Sequence, residues 1–188
     1  MKRPSALGWA CGTWGLLGVL ALLIRPVVSL SPNVLHALEG GLTPLQWVFL
    51  VGWVPFMAWS EGYRGFQQRF SPRTAARAAW LMQNPSALRL VLAPLYCLAL
   101  VHVRRSTLIA RVLLISGIVG LILAVRLLPE PWRGLVDAGV VVGLGWGAVS
   151  LGLFAVRTLR GDPPDFDLSL PGTPAPPRPR RRWGRRSD

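Results

Sequence analysis

The chain has 188 residues, 52% of them hydrophobic, with 21 Lys+Arg against eight Asp+Glu for a formal net charge of +13. That length limits it to one membrane unit with no second folded domain. Its two cysteines, Cys11 and Cys97, lack the spacing of a disulfide framework or a metal site, so neither a disulfide scaffold nor a metal module is expected.

Lys2 is the only basic residue that is not arginine. A positive balance of this kind in an apolar chain reports orientation and contact with anionic lipid. Nucleic acid is not an expected partner, because it would need a folded basic surface interleaved with aromatic residues.

Five runs carry no Asp, Glu, Lys or Arg: Leu7–Ile24 (18 residues), Leu45–Ser60 (16), Leu90–Val103 (14), Val112–Val125 (14) and Ala138–Val156 (19). Such runs, repeated through a short chain, predict an all-α, polytopic integral membrane bundle. The first predicted helix is Ala6–Ile24. Lys2 and Arg3 precede it, but Arg25-Pro26 follows before any small-residue cleavage site, so the run reads as a retained signal anchor. Cys11 has its apolar run after it instead of before it, which excludes a lipoprotein site. Residues 25–43 contain Pro26, Pro32, Asn33 and Gly40-Gly41 and read as a connection, with an amphipathic turn or two over Asn33–Glu39.

Thr43-Pro44 is a helix start, with Thr as N-cap and Pro at the first helical position. Helix two runs Pro44–Ser60 and continues past Glu61 into water, with Trp47 and Trp59 suited to the two membrane interfaces. Ser71-Pro72 opens a short helix, Pro72–Met82. Arg73 and Arg77 on one face and Trp80 near another predict a basic amphipathic helix on a membrane surface. Leu88–Val103 holds Arg89 and Pro94. Sixteen residues rise about 24 Å, short of a hydrocarbon core of roughly 30 Å, and Pro94 would break the helix midway. Residues 85–103 therefore read as a re-entrant or in-plane hairpin. Helix four is Ser106–Leu127, Pro129-Glu130-Pro131 turns the chain, and the last helix is Leu135–Val156. Residues 1–160 form the membrane domain, and the Pro- and Arg-rich 161–188 is a disordered cytoplasmic tail that cannot fold alone.

Charge counting separates two topologies. Four spans plus the hairpin, with both termini cytoplasmic, place 18 basic residues inside and three (Arg25, Arg126, Arg133) outside. Five spans place 12 outside, including the tail. The four-span arrangement obeys the positive-inside rule better.

Few polar groups fall in the predicted spans, and these are the functional candidates. Asp137 stands two residues into the last helix, where Arg133 at i−4 shares its face and Arg126 lies at the same depth across the turn. An Asp137 pair with Arg133 or Arg126 would staple a hairpin or serve as a substrate or proton site. Glu61 can pair with Arg64 at i+3, the preferred reading, or with Arg111. Gly139, Gly143 and Gly147 form one small-residue face, and Gly8, Gly12 and Gly15 a similar stripe on helix one. Both suit close helix packing, within the bundle or against another membrane protein or a second copy. Arg69, Arg73, Arg77, Arg180, Arg181 and Arg182 are the candidates for anionic-lipid contact.

Two segments, Glu61-Gly-Tyr-Arg-Gly-Phe-Gln through Phe70-Ser-Pro-Arg73 and Pro131-Trp-Arg-Gly-Leu-Val-Asp-Ala-Gly-Val-Val-Val-Gly143, join through Leu92-Ala-Pro-Leu-Tyr-Cys97. Together they resemble a group of small bacterial inner-membrane proteins without an assigned activity. The likeness covers residues 44–150 and implies a bacterial inner-membrane location and nothing about chemistry. The residues themselves assemble no metal cluster, catalytic triad, phosphate loop or paired-carboxylate site, and no cofactor is expected. They point to a non-enzymatic accessory or scaffold protein packing against membrane partners. A small transporter or lipid-handling protein using the Asp137 pair is the alternative.

Overall fold

The computed structural model describes residues 4–98 and 125–164. Every element among them is helical: α1 (Ala6–Glu39), α2 (Pro44–Met57), a π-helical segment (Ala58–Phe70), α3 (Ser71–Gln83), α4 (Ala87–Val91), α5 (Ala93–Cys97) and α6 (Trp132–Leu159). α1 and α6, of 34 and 28 residues, are long and apolar enough to cross a membrane, and most of their apolar surface faces outward. The predicted helix Ser106–Leu127, with Arg111, lies outside the described residues except for its last three. The tail from Asp165 lies outside them as well, with Arg180, Arg181 and Arg182.

α1 starts where Ser5 accepts a hydrogen bond from the Gly8 N–H at 3.2 Å. It does not stop at Ile24, as the prolines suggested, but continues for 15 residues to Glu39. Pro26 and Pro32 each remove one backbone donor. The helix survives because it is packed along its length against α6, so tertiary contact outweighs two lost bonds. α2 begins at Pro44 with the Thr43 N–H donating to Gln46 Oε1 at 2.8 Å. It passes without a break into the π segment, where a wider turn closes i→i+5 hydrogen bonds. Runs of that length are rare, and nothing in the sequence signalled this one.

α6 is the axis of the molecule. It touches α1, α2, the π segment and α3. α1 lies antiparallel to it: Asn33 meets Asp137, Ala37 meets Gly134, and Leu16 and Leu20 line a groove with Leu151 and Ala155. α2 and the π segment run parallel to it: Phe49 packs on Trp132, Trp53 and Met57 on Gly139, Glu61 on Gly143 and Phe66 on Gly147.

α3 was expected on a membrane surface. It is instead packed between α1 and α6, with Ser71, Thr74, Ala75, Ala78 and Leu81 all fully buried. Its small residues explain this, because alanines and hydroxyl side chains admit neighbouring helices closely where a surface helix would carry bulk. The chain then turns at Asn84–Ser86, and the Ser86 hydroxyl caps α4 by accepting from the Arg89 N–H at 3.2 Å. Leu92 separates α4 from α5. Both short helices lie against the N-terminal half of α1, where Cys11 faces Ser86, Gly15 faces Ala93 and Cys97, and Gly18 faces Pro94. Leu16, Val19, Leu81, Tyr96, Cys97 and Leu151 form the centre of the core.

Candidate functional site

A polar contact to a buried carboxylate joins the two long helices. Asn33 Nδ2 on α1 donates to Asp137 Oδ2 on α6 at 2.9 Å, and Asp137 is 5% exposed. The Asn33 carbonyl lies against Gly134, one turn before Asp137, so the bond forms where the helix backbones approach closely. The predicted ion pairs do not form: neither Arg133, half-buried, nor Arg126, exposed, bridges to Asp137. Asn33 was not foreseen as the partner, because a segment flanked by Pro26 and Pro32 reads as a connection. Once α1 extends to Glu39, Asn33 falls on the face toward α6.

A neighbouring bond ties α2 to α6, with Trp53 Nε1 donating to the Val136 carbonyl at 3.2 Å. Further along, Trp146 Nε1 donates to Gln67 Oε1 at 2.8 Å and clamps the π segment to α6. Trp146 also covers Gly62, where an added Cβ would stand 2.9 Å from its own Cβ.

All six glycines of the two stripes are buried. On α6, Gly139 receives Trp53 and Met57, Gly143 receives Glu61, and Gly147 receives Phe66, whose Cγ would lie 2.6 Å from an added Cβ. On α1, Gly8 and Gly12 receive Met82 from α3, and Gly15 receives Cys97 Sγ from α5. Both stripes are therefore occupied by elements of this chain.

Glu61 is exposed and makes no ion pair with Arg64, which is also exposed. Its Cβ packs on Gly143, and its carboxylate reaches over the bare backbone of Gly65. Arg111 lies outside the described residues. Arg69 and Arg73 are exposed. Arg77 is half-buried and turns inward, its Nη1 donating to the Cys97 carbonyl at 3.4 Å, because α3 is enclosed by the bundle. Arg89 lies 4.9 Å over the Trp80 ring and donates to the Asn84 carbonyl at 2.6 Å, closing the turn between α3 and α4.

Among the described residues no group of three His, Cys, Asp or Glu side chains could hold a metal ion. Thr13, Leu16, Leu20, Leu151, Ala155 and Leu159 line a shallow apolar groove of about 130 Å³ between α1 and α6. Among the described residues the buried hydroxyls of Ser71, Thr74, Ser150 and Thr158 have no hydrogen-bond partner. No family model, curated protein or solved structure matches this chain.

Proposed function

We propose that this is a multi-pass membrane protein that acts as a non-enzymatic accessory or scaffold, holding membrane partners and anionic lipid instead of transforming a substrate. The observation that carries the reading is the pairing of two long apolar helices with an outward apolar surface. Leu17, Leu22 and Val28 on α1, Val48 and Val51 on α2, and Val149 and Leu153 on α6 are all exposed. A surface that large and apolar needs lipid or protein cover. With both glycine stripes filled from within, partners would dock on these outer faces. The resemblance described above supports a bacterial inner-membrane location.

The four-span arrangement draws support from helix directions. α2 with its π segment runs parallel to α6, and α1 runs antiparallel to both. If all three cross, the chain between Phe70 and Trp132 must cross an odd number of times. α3, α4 and α5 stay beside the N-terminal half of α1 and supply no such crossing. Five spans would set α2 and α6 antiparallel. Both termini then share one side, which the positive-inside rule makes the cytoplasm.

The Asn33–Asp137 bond supports the staple reading of Asp137, since its buried carboxylate is already engaged between two helices. Labelling with a membrane-impermeant thiol reagent tests the topology. Single cysteines would replace Ser86, Ser106 or Ser187 in a background without Cys11 and Cys97. All three should be shielded in intact cells and react after lysis. Labelling of the Ser106 and Ser187 positions from outside would overturn the arrangement.

A further inference from the structure

Arg25 on α1 and Glu61 on the π segment carry opposite charges and stand at one level of the bundle. Arg25 is eight residues along α1 from Asn33, about 12 Å. Gly143, on which Glu61 packs, is six residues along α6 from Asp137, the partner of Asn33, or about 9 Å. The two levels agree within about 3 Å.

That level is interior. The first apolar run packs toward the C-terminal half of α6, with Leu16 and Leu20 beside Leu151. The second packs along its N-terminal half, with Phe49 on Trp132 and Trp53 on Gly139. The two runs end at Arg25 and Glu61, near the middle of α6. On the membrane reading above, on which this inference rests, both charges lie within the hydrocarbon, where ionisable side chains pair with one another or line a functional path.

Within one chain they do not pair. Both are exposed, and neither makes a hydrogen bond or ion pair among the described residues. α1 and the π segment each pack on α6 and share no substantial contact, so α6 keeps the two charges apart. Residues 99–124 contain no Asp or Glu and so supply no carboxylate for Arg25, though they carry Arg104, Arg105 and Arg111. Leu22 and Val28 are exposed near Arg25, and Phe56 and Trp59, with Arg64 one turn on, near Glu61.

We propose that the protein self-associates in the membrane by pairing Arg25 of one copy with Glu61 of the next. A second copy in the same orientation brings the opposite charge at the required depth without tilting, and joins two apolar surfaces around it. The contact joins unlike surfaces of successive copies, so it builds a ring where the rotation between copies closes and an open chain where it does not.

The test uses the full-length chain in lipid vesicles, with the associated fraction read by single-molecule photobleaching across protein-to-lipid ratios. Alkaline carbonate extraction is run on the same samples. The wild type should resist extraction and associate. Arg25→Glu and Glu61→Arg should each shift association to at least tenfold higher protein density, and the double reversal R25E/E61R should restore it to within threefold. Equimolar mixing of the two single variants should recover association, since each supplies what the other lacks. A wild type that resists extraction but stays monomeric overturns the pairing and leaves the membrane reading intact. Association indifferent to either reversal, or single losses that the double reversal does not recover, also overturns it. Release by carbonate overturns the membrane reading and the pairing together.

Discussion

Gly134→Ala should weaken the fold far more than its single added methyl suggests. A Cβ at Gly134 would stand 2.5 Å from the Asn33 carbonyl oxygen, about 0.9 Å short of the 3.4 Å at which ordinary contact begins. The obstacles are this backbone and the Ala37 Cβ, neither of which a rotamer change can move, so α1 and α6 must separate there. The same displacement acts on the Asn33–Asp137 bond, which would open from 2.9 Å toward about 3.8 Å, beyond hydrogen-bond range. Overpacking costs about 1–3 kcal/mol. Leaving the buried Asp137 carboxylate without its donor costs about 1–3 kcal/mol more. Alanine returns up to about 1 kcal/mol in helix propensity. The expected net loss is therefore about 1–6 kcal/mol. Gly145→Ala on the same helix is the matched control, because nothing lies within 4 Å of its added methyl. It should be neutral or slightly stabilising. Denaturant unfolding in detergent micelles, followed by tryptophan fluorescence, would measure both. Equal midpoints for the two variants would refute the close approach at Gly134.

Asn33→Ala should cost about 1–3 kcal/mol in the same unfolding assay, and Asn33→Gln should not rescue it, because the longer amide does not fit the contact beside Gly134. Thr74→Val should be neutral or stabilising by up to about 1 kcal/mol, since the Thr74 hydroxyl is buried with no hydrogen-bond partner among the described residues; a loss would reveal a partner for that hydroxyl. Deleting residues 178–186 should weaken binding to vesicles of anionic lipid at low salt, at about 1 kcal/mol for each arginine near the surface. Unchanged co-sedimentation would remove the tail from the proposed lipid contacts.

Local chemistry made several elements legible. Thr43-Pro44 marks the start of α2, because a proline at the first helical position forfeits no bond the helix would have made. Ser71-Pro72, expected to open a helix, does not: Phe70 and Ser71 are already helical, so α3 continues the π segment and Pro72 lies inside an unbroken helix. Leu92 and Pro94 divide 87–97 into two short helices where Pro94 was read as a break. The helical class followed from apolar runs too long for strands. Each of the signals that held lies within a few residues of the feature it predicts.

What failed depended on residues far apart in the chain. Pro26 and Pro32 looked like the end of α1, yet the helix persists because α6 packs beside it. α3 carries arginines suited to a surface, yet its alanines and hydroxyls bury it. Asp137 had two arginines close in sequence and took Asn33, which is 104 residues away. Arg25 and Glu61 closed separate runs and were assigned to opposite sides of a membrane; the register of α1 and α2 along α6 brings them level.

The sequence by itself determined the helical class, the apolar runs, where α1 and α2 start, and that small residues line two of the helices, because hydropathy, capping and side-chain size are properties of a residue and its near neighbours. Only the tertiary structure decided which faces meet, in what direction and at what height. Those outcomes depend on which large side chain fills which bare glycine, Trp53 on Gly139, Phe66 on Gly147 and Met82 on Gly12, and such pairings leave no mark on either partner alone.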